Sequence, residues 1–205
     1  MREPAKAAAA AKRLRGGRGQ VELFFAFDDP NSAVALVELD RRIAGRAVDL
    51  LPFPVLERDM EGDPAVEAKR SYAVVDASRI AARSGVSLSR KQPLRPEDTA
   101  FLAEWVAAAG PSSAVKDFAV AAARTIWFEQ DGPLDRDAFA ESWRLAVGGT
   151  PPVGGSDPVG SNEKRMKRRG AYAVPMAWVH GRLFFAHDRL DQICDELDLL
   201  GWRPR

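Results

Sequence analysis

The stretch Val21-Glu22-Leu23-Phe24-Phe25-Ala26-Phe27-Asp28-Asp29-Pro30-Asn31-Ser32 decides the fold. Val21, Leu23, Phe25 and Phe27 alternate with Glu22, Phe24 and Ala26, and the run is apolar enough for a central strand covered on both faces. From Ala33 to Ile43 the spacing turns helical. Val34, Leu36, Val37, Leu39 and Ile43 form a stripe, with Glu38, Asp40, Arg41 and Arg42 opposite and Gly45 as the stop. The strand therefore feeds straight into a helix N-terminus, where free backbone N–H groups concentrate partial positive charge and hold anions or reactive groups. Residues 27–32 are the expected active centre. Asp29-Pro30 is also a favoured N-cap and N1 pair, worth about 1 kcal/mol as a cap without any chemistry.

Working outward, Ala47–Phe53 reads as a second strand, so the chain opens β-α-β with a right-handed parallel crossover. From Pro64 the character is helical. Segments 64–83, 96–109, 113–130 and 135–146 each carry helical spacing, and their aromatics, among them Phe101, Trp105, Phe118, Trp127 and Trp143, read as packing core. A Gly/Pro-rich surface loop is expected at 148–160, and a short basic helix at 162–170. Strand character returns at Ala173–Val179, turns tightly at His180-Gly181, and pairs back through Leu183–Phe185. His180 is expected to face solvent, and Asp188 to open a final helix bearing Leu190, Ile193, Leu197 and Leu200. The expected architecture is α/β: a thioredoxin-like core over 20–62 and 163–203, an all-helical insertion over 63–162, and a flexible basic tail over 1–19.

Composition narrows the function. The 205 residues carry a formal net charge of +1, which predicts no polyanion partner. The basic tracts 12–15 and 164–169 lack interleaved stacking aromatics and read as solvated faces or tails, with no nucleic-acid role. No stretch is long and apolar enough for a membrane span. Cys194 is the single cysteine, which excludes an intramolecular disulfide, a Cys-x-x-Cys pair and a cysteine zinc site. A cytoplasmic setting is expected, no metal or redox cofactor is required, and a homodimer is allowed.

Four patches then align in order with one family. Leu23–Ala33 is similar to its Phe-x-Phe-x-Ser-Pro-Tyr-Ser segment. Lys69, Tyr72, Asp76 and Arg79 fall at the spacing of its Lys-x-x-Tyr-x-x-x-Asp-x-x-Arg helix. Gly170–Pro175 is similar to its Gly-x-Phe-Gly-Val-Pro, and Phe184–Leu190 to its Trp-x-Gly-x-Asp-Arg-Leu. From Gln20 to Trp202 the chain resembles the group of 2-hydroxychromene-2-carboxylate isomerase and the kappa-class glutathione transferases, relatives of the disulfide oxidoreductase DsbA. The resemblance implies a cis Val174–Pro175 bond, and a site in which Asn31, Ser32, Asp63, Val174, Pro175, His187 and Asp188 hold a substrate or thiol.

At Asp29 the family carries a serine that holds the glutathione sulfur, or the first cysteine of a redox pair. Disulfide exchange needs a thiolate there and finds a carboxylate. A carboxylate about 4 Å from a bound thiolate costs ~4 kcal/mol at an effective dielectric of about 20. A helix N-terminus returns only about 0.3–1 kcal/mol. Glutathione or another low-molecular-weight thiol is therefore disfavoured as a cofactor. The resulting expectation is an isomerase-like or transferase-like enzyme acting by acid/base chemistry on a small, conjugated, partly apolar substrate. Asp29 is its candidate acid or base, with Lys69 or Tyr72 stabilising negative charge. The bland alternatives are a cap for Asp29, a solvated face for Lys69 and a core ring for Tyr72. At the level of the whole protein, the alternatives are a non-catalytic binding member and a thiol-dependent isomerase or transferase.

Overall fold

The computed structural model describes residues 2–56, 63–153 and 157–204. Helix α1 (Arg2–Leu14) leads into β1 (Gly19–Phe25), α2 (Pro30–Ile43) and β2 (Val48–Pro54). The helical block follows as α3 (Val66–Arg83), α4 (Pro96–Ala109), α5 (Ser113–Arg124) and α6 (Arg136–Ala146). Helix α7 (Pro158–Arg168), β3 (Met176–Val179), β4 (Arg182–Phe185) and α8 (Leu190–Leu199) complete the chain. Residues 57–62 of the expected core and 154–156 of the expected Gly/Pro-rich loop lie outside the described ones.

The sheet runs β2-β1-β3-β4, with β1 parallel to β2 and antiparallel to β3. Alternation along β1 sorts its side chains between two cores. Val21, Leu23 and Phe25 join the large core under α2, the helical block and α8, whereas Phe24 packs with Phe53, Met166 and Met176 beneath α7. Phe24 and Phe53 stack with ring centres 5.6 Å apart. Helix α2 is buried almost throughout, so Glu38, expected on an open face, is 2% exposed and answers to Arg41 and Arg42.

Four expectations are corrected. Residues 1–19 do not form a flexible tail: 2–14 are helical, Ala9 is fully buried, and the Arg13 guanidinium lies 5.3 Å from the Trp202 ring centre. The alanine run has high helix propensity and a face small enough to dock closely. The tract 164–169 is not simply solvated, because Arg165 and Arg169 both grip Glu22, which is 2% exposed in the central strand. Helix α7 starts at Pro158, capped by the Asp157 carboxylate through the Gly160 amide, which shortens the expected 148–160 loop. Finally, α8 opens at Leu190 with Arg189 as its cap residue, leaving Asp188 exposed in the preceding turn.

The segment expected as one helix over 113–130 ends in a π-helical turn, Thr125–Glu129. That widened turn carries Trp127, whose Nε1 reaches the Phe27 carbonyl. His180 and Gly181 both take positive φ, 45° and 93°, as a two-residue hairpin loop requires. His180 is half-buried, not solvent-facing. Burial and then Lys12 push its imidazole below the ordinary value, against the pull of Glu196.

Candidate active site

The β1–α2 junction is closed by its own side chains. Asp29 has extended backbone, φ −104° and ψ 116°, and caps α2 with Pro30 in the first turn. Its Oδ2 accepts from the Ser32 amide at 2.9 Å and from the Ser32 hydroxyl at 2.6 Å. Ser32 Oγ in turn accepts from the Ala26 amide at 3.2 Å. Asp29 is 4% exposed and Ser32 fully buried, so the carboxylate occupies the place at the helix start where a ligand anion would sit.

Asn31, one step along α2, faces the insertion. With Lys69, Tyr72 and Asp76 of α3 it lines an open cleft of about 450 Å³. Positions 69, 72 and 76 share one helix face by their spacing. Asn31 Oδ1 is buried without a hydrogen-bond partner in the protein. Tyr72 is 60% exposed, so it is not a core ring. Lys69 is exposed and ion-paired to Asp63 Oδ2, while Asp63 Oδ1 accepts from the Ala65 amide at 2.9 Å. The Lys69 bond and then the Ala65 amide hold the Asp63 carboxyl below the usual carboxylate range.

The remaining expected residues share this end of the sheet without lining the cleft. Register aligns Phe24 with Met176 and Met176 with Phe185, which brings Pro175 and the turn after β4 to the C-terminal end of β1. The Val174–Pro175 bond is cis, and the Pro175 carbonyl accepts from the Ala186 amide at 2.9 Å. His187 is half-buried with Nδ1 unpartnered, and Asp188 stands 3.8 Å from its neighbour Arg189. Asn31, Lys69 and Tyr72 are thus brought together, with Asp63 behind Lys69. Asp29, Ser32, Val174, Pro175, His187 and Asp188 are not in that cleft wall.

Sequence reasoning placed Asp76 in a motif but gave it no role, although it is the carboxylate that lines the cleft. The spacing of 72 and 76 on one helix was the available signal. Among the described residues, no group of three or more His, Cys, Asp or Glu side chains is placed to hold a metal ion, and no helix is long and apolar enough to cross a membrane.

Sheet order, the crossover helix and the inserted helical block define a thioredoxin-like α/β protein of the DsbA type. No family model matches the chain, and no curated protein matches it. Several solved structures do, two of them as follows. A 2-hydroxychromene-2-carboxylate isomerase superposes with a TM-score of 0.63 at 16% identity, over 89% of this chain and 96% of that one. A probable DsbA oxidoreductase from Streptomyces coelicolor superposes with a TM-score of 0.60 at 14% identity, over 92% of each chain. Likeness at such identity is likeness of fold.

Proposed function

We propose that this protein is an isomerase-like enzyme that moves a proton within a small, conjugated, partly apolar substrate held between the first turn of α2 and the face of α3. The observation that carries this reading is the convergence of Asn31, Lys69, Tyr72 and Asp76 on one open cleft. Asp29 is committed to its cap, so proton transfer falls to Asp76 and Tyr72. Asp76 takes the proton of the substrate's ring hydroxyl as the carbonyl forms and the ring C–O bond breaks, Lys69 stabilises the departing phenolate oxygen, and Tyr72 donates a proton to it. Asn31 Oδ1 accepts from a substrate hydroxyl. Asp29 and Ser32 act as positioning residues by fixing the turn that carries Asn31.

The fold neighbour suggests the first substrate to test, 2-hydroxychromene-2-carboxylate, followed by its absorbance change with and without glutathione. Turnover without thiol is expected, with Asp76→Asn reducing kcat about 100-fold or more at unchanged circular dichroism. Undiminished turnover by Asp76→Asn would remove that residue from the mechanism. A strict requirement for glutathione would move the assignment to a thiol-dependent isomerase or transferase.

A second reading rests on the Lys69–Asp63 pair, which already satisfies the ammonium of the cleft. In that reading the cleft binds a small molecule without transforming it. Saturable binding of conjugated carboxylates, with no turnover of any of them, would select it.

A further inference from the structure

Register places the His180-Gly181 hairpin at the N-terminal end of β1, away from the junction with α2. There α1, the hairpin and α8 enclose a cavity of about 410 Å³. Its apolar side is Ala5, Leu199 and Leu200. Leu199 leaves 49% of its surface open, whereas Leu200 beside it is sealed at 3%. The space exists because α1 presents only a methyl group at position 5, too small to fill it.

The polar side is Lys6, His180, Arg182 and Glu196. Arg182 and the buried Glu196 are paired with each other and cancel. Lys6 and His180 have no hydrogen bond or ion pair among the described residues. The ring nitrogens of His180, unlike His187 Nδ1, are not shut inside the protein, so the cavity can reach them. A neutral imidazole offers one donor there and a protonated one offers two. The surroundings are positive. Burial and then Lys12 hold the imidazole below its ordinary value, and Lys6, Lys12 and Arg182 face a single carboxylate, Glu196. That imbalance is answered by an anion.

We propose that the cavity between α1, the hairpin and α8 binds a small alkyl or aryl carboxylate, its head group between Lys6 and His180 and its body on Ala5, Leu199 and Leu200. Binding is coupled to protonation. A carboxylate beside the imidazole favours the charged ring, so the complex tightens as pH falls, and the bound anion raises the proton affinity of His180 in return. The charged groups around the ring are Lys6 and Lys12 from α1, Arg182 from β4 and Glu196 from α8. Of this set, only His180 has an ordinary titration range between about pH 5 and 8.

Titration of the full chain with octanoate, followed by the imidazole proton resonances in NMR, tests this assignment. The chain has two histidines, and His187, at the other end of the sheet, is the internal reference. A saturable shift is expected at His180, with no matching response to neutral octanol. With octanoate bound, the His180 midpoint should rise by about half a pH unit or more, and octanoate should bind about twofold to threefold tighter near pH 6 than near pH 8. Ala5→Leu keeps a strong helix former while filling the cavity, and should abolish the shift at unchanged circular dichroism. Lys6→Gln should weaken binding about threefold. No saturable shift, an equal response to octanol, a shift at His187 alone, or undiminished binding by Ala5→Leu would overturn the proposal. Each readout is binding at His180, so it stands or falls separately from turnover at the Asn31 cleft.

Discussion

Trp127 Nε1 donates to the Phe27 carbonyl at 2.8 Å, across a separation of 100 residues. The helical insertion is thereby pinned to the point where β1 becomes α2. Trp127→Phe keeps an aromatic ring and leaves a buried carbonyl short of its donor, which costs about 1–3 kcal/mol. Urea unfolding should show the loss as a lower midpoint at unchanged slope. An unchanged midpoint would mean that the carbonyl had found another donor.

Asp29 holds two donors from Ser32 on one oxygen. Asp29→Ala removes the cap and should cost about 0.5–2 kcal/mol, while Asp29→Asn keeps an acceptor for the Ser32 amide and should cost less. Thermal unfolding of both variants checks the order. For a chain of 205 residues, each 1 kcal/mol lowers Tm by about 2–4 °C. If Asp29→Asn instead lost turnover with Tm intact, the carboxylate would belong to the chemistry.

Glu22 carries the clearest acid-sensitive contact. Burial alone would raise its pKa, but the hydrogen bonds and charges of Arg165 and Arg169 outweigh it and hold the carboxyl below 4.5. A folded-state value below the unfolded one gives stability that is fully present above pH 4.5 and lost as pH falls through the folded value. Stability measured against pH should bend downward in that window. Glu22→Gln should flatten the bend and cost about 2 kcal/mol at neutral pH, less than a sealed ion pair because both arginines reach water.

His180 predicts a second window. Its imidazole is pushed below 6.5 by burial and then by Lys12 of α1, against Glu196 of α8. The unfolded chain therefore takes up a proton first, and stability declines as pH falls from about 7 through 6.5. Asn tolerates the positive φ of this position and does not titrate. His180→Asn should abolish the slope in that range, and a slope that persisted would have to come from another group.

Much of the fold was legible in residues 20–54 and 173–200, because period-two and helical apolar patterns report burial directly, and four family patches lay in order. Helix α1 was missed because a basic, alanine-rich segment carries no large apolar stripe; its docking shows in Ala9, the Arg13–Trp202 contact and the Arg13 hydrogen bond to the Leu200 carbonyl. The Arg165–Glu22–Arg169 cluster spans 143 and 147 residues, a separation at which charge pairing leaves no local signature. Its one trace was a glutamate inside an otherwise apolar strand. At the site, helical spacing singled out Lys69, Tyr72 and Asp76. Which carboxylate faces the cleft depends on how Asp29 folds back onto Ser32, a choice of side-chain partner that residue spacing does not encode.

Cys194 sits half-buried on α8, and burial, ahead of the opposing Arg46 and Arg42, raises its thiol above the ordinary value. With the junction occupied by oxygen, it is the one sulfur nucleophile among 205 residues. A maleimide or an aromatic disulfide reagent thus has a single address on this molecule, and meets there a mostly protonated, partly shielded group. The labelling rate then works as a clock for how often α8 lifts from its seat.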